Sequence, residues 1–295
     1  DIQTALGRLE AGRRTIVLLP GNHQSKVSLD QVGQVTIVGA EGAIISPGLD
    51  GDDSAVAVSG DSQVKFEQVR IELSDGGNSS SLGVECSAGG SSPSIDFVES
   101  EISGSGGRGI LSTGCDIGLS RTLVTNNDRG GVDLQSSDFT ITNSLIVRNG
   151  SDNAEFGGLR VSNFEAASQV LDFNTIARNQ ASELADATNV DCVAMNALVA
   201  SGNIVYEGFN AGSPLPDFDL TNCSFAFSNV AGGPTDNDNI DQDPLFVNAA
   251  QGDFSLQSGS PCIDAADPAS TIDVDFDGEP RPQGDAPDIG ADEAG

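Results

Sequence analysis

A segment near the end of the chain carries acidic residues at the spacing used by calcium-binding loops. It reads Asp273-x-Asp275-x-Asp277-Gly278, in which alternate carboxylates converge their oxygens on one hard cation and the glycine allows a sharp turn. The twelfth position of such a loop normally carries a bidentate acid. Here that position is Gly284, so a later acid would have to substitute. The segment predicts a Ca²⁺ site formed by Asp273, Asp275, Asp277, Asp285 and Asp288. The alternative is that these are solvated turn residues.

A second acidic cluster lies in another loop and is a further candidate for the same cation. Its members are Asp236, Asp238, Asp241 and Asp243. Turn residues of a very acidic protein again provide the alternative explanation.

Arginine and carboxylate side chains would be required if the chain cleaved polysaccharide. A lyase needs a base beside a uronate carboxylate and cations to neutralise it, for which Arg129, Arg148, Arg160 and Arg178 are available. A hydrolase needs two carboxylates facing the scissile bond, for which Asp128 with Asp133, or Asp152 with Glu155, are conceivable. None of these residues belongs to a distinguishing motif, so solvated surface charge is the alternative. The only histidine, His23, is a catalytic candidate or a turn residue.

The net charge of -31, from 44 Asp+Glu against 13 Lys+Arg, argues against several partners. Nucleic acid and anionic membranes both require a basic face. An anionic polyuronate would also be repelled unless calcium bridged the two. Sugar clefts usually offer aromatic platforms, yet the chain has no Trp and a single Tyr, Tyr206. No apolar run approaches the roughly 20 residues that span a bilayer, so no membrane insertion is expected.

The five cysteines contain no C-x-x-C pair and are not accompanied by histidines, which argues against a zinc site. Two disulfides can form and one thiol must remain unpaired or pair between chains. The scarcity of lysine, limited to Lys26 and Lys65, and the abundance of Asp favour a secreted or surface-exposed protein.

Short apolar segments recur along the chain at nearly constant spacing. The equivalent positions Ile102, Val124, Ile146 and Ile176 are separated by 22, 22 and 30 residues, and the longest step contains a loop over 150–157. A step of about 22 residues that holds two or three strands is typical of one rung of a parallel β-helix. The segments are 64–71, 95–102, 117–124, 139–146 and 169–176, each followed by a polar turn and a second strand.

Asparagines recur at one turn of the predicted rungs, at Asn127, Asn149 and Asn179. Stacked amides can hydrogen-bond from rung to rung and satisfy turn groups that would otherwise lack partners. The pattern predicts an asparagine ladder, although Asn also favours turns in general.

The start of the chain predicts a cap for the solenoid. Ile2, Ala5, Leu6 and Leu9 lie at helical spacing, and a short amphipathic helix would cover the open first rung. We therefore expect an all-β fold: a single-stranded right-handed parallel β-helix with a short N-terminal capping helix and an irregular C-terminal cap. The rung pattern divides the chain into 1–205, the capped β-helix, and 206–295, final coils and an acidic cap in the same domain.

Two parts of the chain resemble known families. The strand and Pro-Gly turn of Thr15-Ile-Val-Leu-Leu-Pro-Gly-Asn-His23 resemble the opening of pectate-lyase-like β-helix proteins, which commonly have an aromatic residue after Pro-Gly. The segments 239–246, 252–264, 273–282 and 287–293 resemble, in their order, the C-terminal region of bacterial surface β-helix proteins of the choice-of-anchor Q type. The latter resemblance implies a protein secreted from or exposed on a bacterium, with no established catalytic residues to transfer. It also implies a disulfide between Cys192 and Cys223, whereas rung alignment places Cys86 inward as a small buried hydrophobic residue.

These observations favour a secreted or cell-surface β-solenoid that is non-catalytic and has a structural, adhesive or self-assembling role, stabilised by Ca²⁺. The alternative is a polysaccharide lyase or glycoside hydrolase of the pectate-lyase-like class. The expected partners are polysaccharide or further copies of the chain.

Overall fold

The computed structural model describes residues 1–10, 14–49, 53–73, 80–162, 169–210 and 217–295, without the side chains of 194–197 and 220–222. Helix α1 (Ile2–Leu6) is followed by short strands. They are β1 (Thr15–Leu18), β2 (Gly21–His23), β3 (Val27–Asp30), β4 (Gly33–Gly39), β5 (Ala43–Ile45), β6 (Ser54–Ser59), β7 (Ser62–Glu67), β8 (Arg70–Glu72), β9 (Leu82–Ser87), β10 (Ser94–Val98), β11 (Glu101–Ser103), β12 (Ile110–Thr113), β13 (Asp116–Ser120), β14 (Leu123–Thr125), β15 (Val132–Gln135), β16 (Asp138–Thr142), β17 (Leu145–Val147), β18 (Leu159–Ser162), β19 (Val170–Asp172), β20 (Thr175–Ala177), β21 (Gln180–Ala181), β22 (Val190–Ser201), β23 (Ile204–Tyr206), β24 (Phe209–Asn210), β25 (Phe218–Ala226), β26 (Asn229–Val230), β27 (Phe246–Asn248) and β28 (Asp253–Leu256), with a 3-10 helix, Ala249–Gln251, before β28.

The strands stack into three parallel sheets, and each complete rung contributes one strand to each sheet. Sheet A contains β1, β4, β7, β10, β13, β16 and β19; sheet B contains β3, β6, β9, β12, β15 and β18; sheet C contains β2, β5, β8, β11, β14, β17, β20, β23 and β26. Near the C-terminal end, the long β22 runs through both A and B, and β25 pairs beside it. The predicted fold class, a right-handed parallel β-helix, is confirmed.

Alternation along the strands places apolar side chains inside the helix, where each rung packs on the next. Phe66 and Phe97 are register partners in sheet A, and their rings stack with centroids 5.0 Å apart. The interior is apolar along the whole solenoid because the strand period is two residues, so every second side chain points inward.

The eight-residue apolar segments of the sequence are pairs of strands rather than single strands. In each of these five segments, a residue in the left-handed backbone region separates the sheet A strand from the sheet C strand and turns the chain through the corner. Non-glycine residues rarely adopt this conformation, so the repeated corner is a fixed feature of the fold. The corner residues, with φ between 46° and 56°, are Gln68, Glu99, Arg121, Asn143 and Phe173.

The predicted asparagine ladder is confirmed. Asn127 donates through Nδ2 to Oδ1 of Asn149 at 2.9 Å, and Asn149 donates in the same way to Asn179 at 3.1 Å. The ladder continues to Asn189, which accepts from Asn179 at 2.9 Å. These four side chains are at most 1 % exposed, so the amides satisfy one another inside the turn.

A second ladder, which the sequence did not reveal, follows the corner between sheets A and C. Ser144 donates its backbone N–H to Oδ1 of Asn174 at 2.9 Å, and Asn174 donates through Nδ2 to Asn203 at 3.1 Å. Asn203 then donates its backbone N–H to Ser228, which donates in turn to Asn239. Serine and asparagine are mixed on this ladder without a regular order, so no single residue type repeats along the sequence.

The N-terminal helix caps the first rung. Asp1 accepts a hydrogen bond from the backbone N–H of Thr4, and Ile2 is buried at 2 % exposure. Ala5, Leu6 and Leu9 pack against the edge of the same core.

The C-terminal segment, residues 231–295, lies along the side of the solenoid rather than only over its end. It packs on the outer face of sheet C, where Phe254 and Ile289 contact two apolar clusters that include Ala177 and Ile204. The side chains at the corners differ along the solenoid in the same way. Glu99 and Arg121 are charged, whereas Phe173 is apolar and buried at 2 % exposure. An outward-facing phenylalanine therefore lies where the segment covers the sheet.

Candidate functional site

The acidic motif near the C-terminus folds around a buried arginine. Asp275 is 1 % exposed, and its two carboxylate oxygens accept from the backbone N–H groups of Glu279 and Glu293 at 2.8 and 3.1 Å. Asp288 is 2 % exposed and accepts from the N–H groups of Asp264 and Ala294 at 2.7 and 2.8 Å. Both carboxylates therefore connect neighbouring loops of the cap through hydrogen bonds to backbone amides.

Arg281 lies at the centre of this arrangement. Its guanidinium donates to the carbonyls of Asp288, Gly290 and Ala291, at 2.6, 3.1 and 3.2 Å, and lies 4.5 Å from the Phe173 ring centroid. Burial lowers the pKa of Arg281, although several carboxylates, with Glu293 the foremost, counteract this effect.

The structure separates the five predicted calcium ligands. Asp273, Asp277 and Asp285 are exposed, whereas Asp275 and Asp288 are buried. Asp277 lines a 720 Å³ cavity shared with Arg121, and its pKa is raised by burial and by the charges of Asp275 and Glu279. Within the residues that the structure describes, no group of three or more His, Cys, Asp or Glu side chains is positioned to hold a metal ion.

The second acidic cluster is fully on the surface. All four of its aspartates are exposed, and two of them close their own turns, because Asp241 accepts from the N–H of Gly232 and Asp243 from that of Leu245. Calcium in either cluster remains a prediction.

A row of mostly charged side chains runs along the outer face of sheet B. Its members are register partners on successive rungs, so their side chains project from the same face, one above another. We call it the outer-face row: Glu85, Leu111, Asp133, Arg160, Asp191 and Asp219.

Asp133 is the most enclosed member of the row. It is 0 % exposed, and Arg160 binds it in a bidentate manner, with Nε–Oδ1 at 3.1 Å and Nη2–Oδ2 at 2.8 Å. Arg108 approaches from the other side, 2.9 Å from Oδ2. Two guanidinium groups therefore compensate the loss of water around this one carboxylate.

The loop inserted over 150–157 forms a wall beside the row. Glu155 pairs with Arg108 at 3.1 Å and with Arg160 at 3.2 Å, and both guanidinium groups lie over the Phe156 ring. The ring packs over Gly130, where a Cβ atom would lie only 2.5 Å from it.

A 380 Å³ groove lies between this wall and the face of sheet B. Its lining includes Glu85 and Leu111 from the row, Arg108 and Arg129 from the turns before β12 and β15, and Glu155 from the wall.

Asp191, farther along the row, differs from its neighbours. The residue is 7 % exposed, and its Oδ1 is buried without a hydrogen-bond partner among the described residues. Burial raises the pKa of Asp191 to about 6; the charge of Arg160 lowers it, and those of Asp186, Asp219 and Asp133 raise it. A buried carboxyl with a displaced pKa and an unpartnered oxygen is a marker of functional sites.

The lyase candidates from the sequence are spread over two regions. Arg160 belongs to the row, and Arg129 lies beside the wall, where it donates to the carbonyl of Asn153 at 3.0 Å. Arg148 and Arg178 occupy equivalent corners, as predicted; Arg178 pairs with Glu207 and lies over the Phe209 ring.

Neither of the two hydrolase pairs predicted from the sequence forms a separate carboxyl pair in the structure. Asp128 and Asp152 are exposed on turns, and Asp152 accepts from the Gln180 side chain. Asp133 and Glu155 share the arginines described above. His23 lies on β2 with its Nε2 at 2.9 Å from the carbonyl of Leu19, a contact that fits a turn histidine.

Two disulfides cross-link neighbouring rungs. One joins Cys192 to Cys223, the pair implied by the resemblance, with Cα atoms 6.3 Å apart. The other joins Cys86 to Cys115. The interpretation of Cys86 as a simple buried hydrophobic residue was therefore wrong, because its inward position brings it beside the turn that begins the next sheet A strand. Cys262 is a buried free thiol.

No protein-family model matches the chain, and no curated protein matches it. Among solved structures, the crystal structure of pectate lyase Pel9A matches all of this chain and 91 % of its own, with a TM-score of 0.58 and 13 % identity. The fold is pectate-lyase-like. At this identity the pectate-lyase-like match concerns architecture alone. Over the described residues, the structure contains no helix long and apolar enough to cross a membrane.

Proposed function

We propose that this chain is a secreted or cell-surface β-solenoid of the choice-of-anchor Q type that binds polysaccharide along the outer-face row. The observation that carries the proposal is the buried, unpartnered Asp191 carboxyl on the same row as the groove. Concave surfaces with a few converging polar groups and a perturbed carboxyl are the usual location of ligand sites.

The charges around the row favour a neutral polysaccharide over a polyuronate. Asp133 and Glu155 already engage Arg108 and Arg160, so these cations are not available to a substrate carboxylate. The negative charges of Asp191 and Asp219 would also repel a polyanion. Hydroxyl groups of a neutral glycan can instead donate to them.

Two further features support an extracellular location. Both disulfides lie within the solenoid, and such bonds persist in oxidising compartments. The net charge of -31 keeps the surface strongly hydrated.

A glycan panel tests the proposal, read for binding by affinity electrophoresis in xylan, galactomannan, β-1,3-glucan and polygalacturonate. We expect retardation in at least one neutral polymer and none in polygalacturonate. Leu111→Asp should weaken retardation, whereas Val17→Asp, the same change at an exposed position on sheet A, should leave it unaltered. The proposal would be contradicted if the protein bound none of the neutral polymers.

Binding alone makes the protein an adhesive or structural solenoid, the non-catalytic role favoured by the sequence. The second candidate is a polysaccharide-active enzyme, and the displaced pKa of Asp191 favours it. Release of products from the same panel separates the two. Self-association is tested by light scattering under reducing and oxidising conditions.

A further inference from the structure

Asp191 and Asp219 stand side by side on the outer face of the last long strands. They are register partners in β22 and β25. The neighbours Val190 and Cys192 point inward and are nearly fully buried, so Asp191 projects from the opposite face. Adjacent strands lie about 4.8 Å apart, so the two carboxyl groups begin from backbones at that separation.

The two carboxyl groups have different surroundings. Asp191 is 7 % exposed and has a buried Oδ1 without a hydrogen-bond partner among the described residues, while Asp219 is partly exposed. A desolvated carboxyl favours its protonated form, and burial is the main cause that raises the pKa of Asp191 to about 6. When two neighbouring carboxyl groups have unlike environments, their pKa values differ, so one can act as an acid and the other as a nucleophile.

The other charged groups near Asp191 do not neutralise it completely. Arg160 is the neighbouring cation, but it is bound to Asp133 and Glu155. Asp186 and Asp219 face Asp191 from the loop before β22 and from β25, and both favour its neutral form.

We propose that Asp191 and Asp219 form the carboxyl pair of a glycoside-hydrolase site that cleaves a neutral polysaccharide with retention of configuration. The inference rests on the proposed function, because the substrate must first bind along the outer-face row. The strand spacing fits it, since retaining enzymes hold their two carboxyl groups roughly 5–5.5 Å apart.

The reaction proceeds in two balanced steps. The Asp219 carboxylate attacks the anomeric carbon while the bond to the leaving oxygen breaks, and Asp191 gives that oxygen its proton. A glycosyl ester of Asp219 and an ionised Asp191 result. Asp191 then takes a proton from water, the water oxygen attacks the anomeric carbon, and the ester bond breaks to regenerate the Asp219 carboxylate.

The disulfide beside the pair holds the two strands together. Cys192 follows Asp191 directly, and its partner Cys223 lies on the strand that carries Asp219. The covalent link restricts sliding of β25 against β22 and so preserves the separation of the carboxyl groups.

The test uses the full chain with xylan, galactomannan and β-1,3-glucan, and follows reducing ends across pH 4–8. We expect hydrolysis that declines above about pH 6, where Asp191 loses its proton. Asp191→Asn and Asp219→Asn should each reduce the rate by about 10²–10⁴-fold while retaining glycan binding. Glu10→Gln, an exposed control at the N-terminal end of the chain, should retain full activity.

Two readouts distinguish chemistry from a structural role. Proton NMR of the first product should show the configuration of the substrate, and azide should restore turnover to Asp219→Ala by forming a glycosyl azide. Inverted products, unsaturated products, full activity of Asp191→Asn, or binding without any turnover would overturn this inference. The last of these results would leave the proposed function standing, whereas absence of all glycan binding would remove both.

Discussion

Arg281 and Glu293 form an ion pair of 3.1 Å in which both side chains are almost completely buried. Glu293 also accepts from the N–H groups of Gln283 and Asp288, at 2.9 and 3.1 Å. Together with Asp275 and Asp288, the pair connects the loops of the C-terminal segment through backbone amides. The acidic signature of this region therefore serves the packing of the cap.

Loss of the Arg281 charge should destabilise the cap strongly. Arg281→Met leaves Glu293 and Asp288 buried without their cation, and breaking a buried pair in this way costs about 3–5 kcal/mol of unfolding free energy. Urea denaturation measures the change. Arg8→Met, at an exposed position, is the control and should shift stability by about 0.5 kcal/mol or less. A loss below 1 kcal/mol for Arg281→Met would contradict this role.

The asparagine ladder should contribute measurably to stability. Asn149→Ala removes the acceptor of Asn127 and leaves the carbonyl of Val124 without its 2.9 Å donor. Each buried polar group left unsatisfied costs about 1–3 kcal/mol, so the melting temperature should fall clearly. Asn153→Ala on the exposed loop is the matched control, and equal melting temperatures for the two variants would refute the prediction.

Stability should decrease as pH rises through the titration of Asp191. The folded-state pKa of Asp191, about 6, exceeds its ordinary value of 3.8, so the folded protein binds this proton more tightly than the unfolded chain. The contribution is complete below pH 3.8 and is lost as pH rises through about 6. Asp191→Asn should flatten the curve of unfolding free energy against pH in this window. An unchanged slope in Asp191→Asn would count against the assignment.

If the C-terminal motif binds calcium, a chelator should lower the melting temperature. The exposed residues Asp273 and Asp277 can be changed without disturbing the buried carboxylates. The variant Asp273→Asn/Asp277→Asn should therefore have the melting temperature of the wild-type protein in chelator, and adding chelator should not change it. No response of the wild-type protein to chelator would exclude the calcium proposal.

Removal of the disulfide between Cys86 and Cys115 should destabilise the solenoid. The bond closes a loop with a sequence separation of 29, for which the chain-entropy model gives about 3–4 kcal/mol. Cys86→Ala/Cys115→Ala measures this by urea denaturation. Cys262→Ala is the control for loss of a buried sulfur, and a double variant no less stable than this control would contradict the cross-link.

The architecture could be predicted because the rung repeats in the sequence itself. The spacing of Ile102, Val124 and Ile146 appears in the structure as the register of β11, β14 and β17. The first ladder was visible for the same reason, since one residue type recurs at one offset. The second ladder mixes serine with Asn174 and Asn203 and therefore has no such signature.

The candidate site was harder to predict because burial on an outer face depends on neighbouring rungs. Asp191 resembles any surface aspartate in the sequence, and only the stacking of Arg160 and Asp219 on either side identifies it. The motif Asp273–Asp277 shows the converse problem. The same local pattern suits a cation or a set of backbone amides, and the deciding partner, Glu293, is distant in sequence.

The lateral position of the C-terminal segment determines the order in which the chain can fold. Its contacts with the solenoid span large sequence separations, 131 residues for Asn143 with Val274 and 116 for Thr175 with Ala291. Such contacts have high contact order and form slowly, whereas successive rungs join over about 22 residues. During synthesis the solenoid can therefore assemble first, with Phe173 exposed until residues 231–295 arrive. That interval is the stage at which the nascent protein is most prone to aggregation.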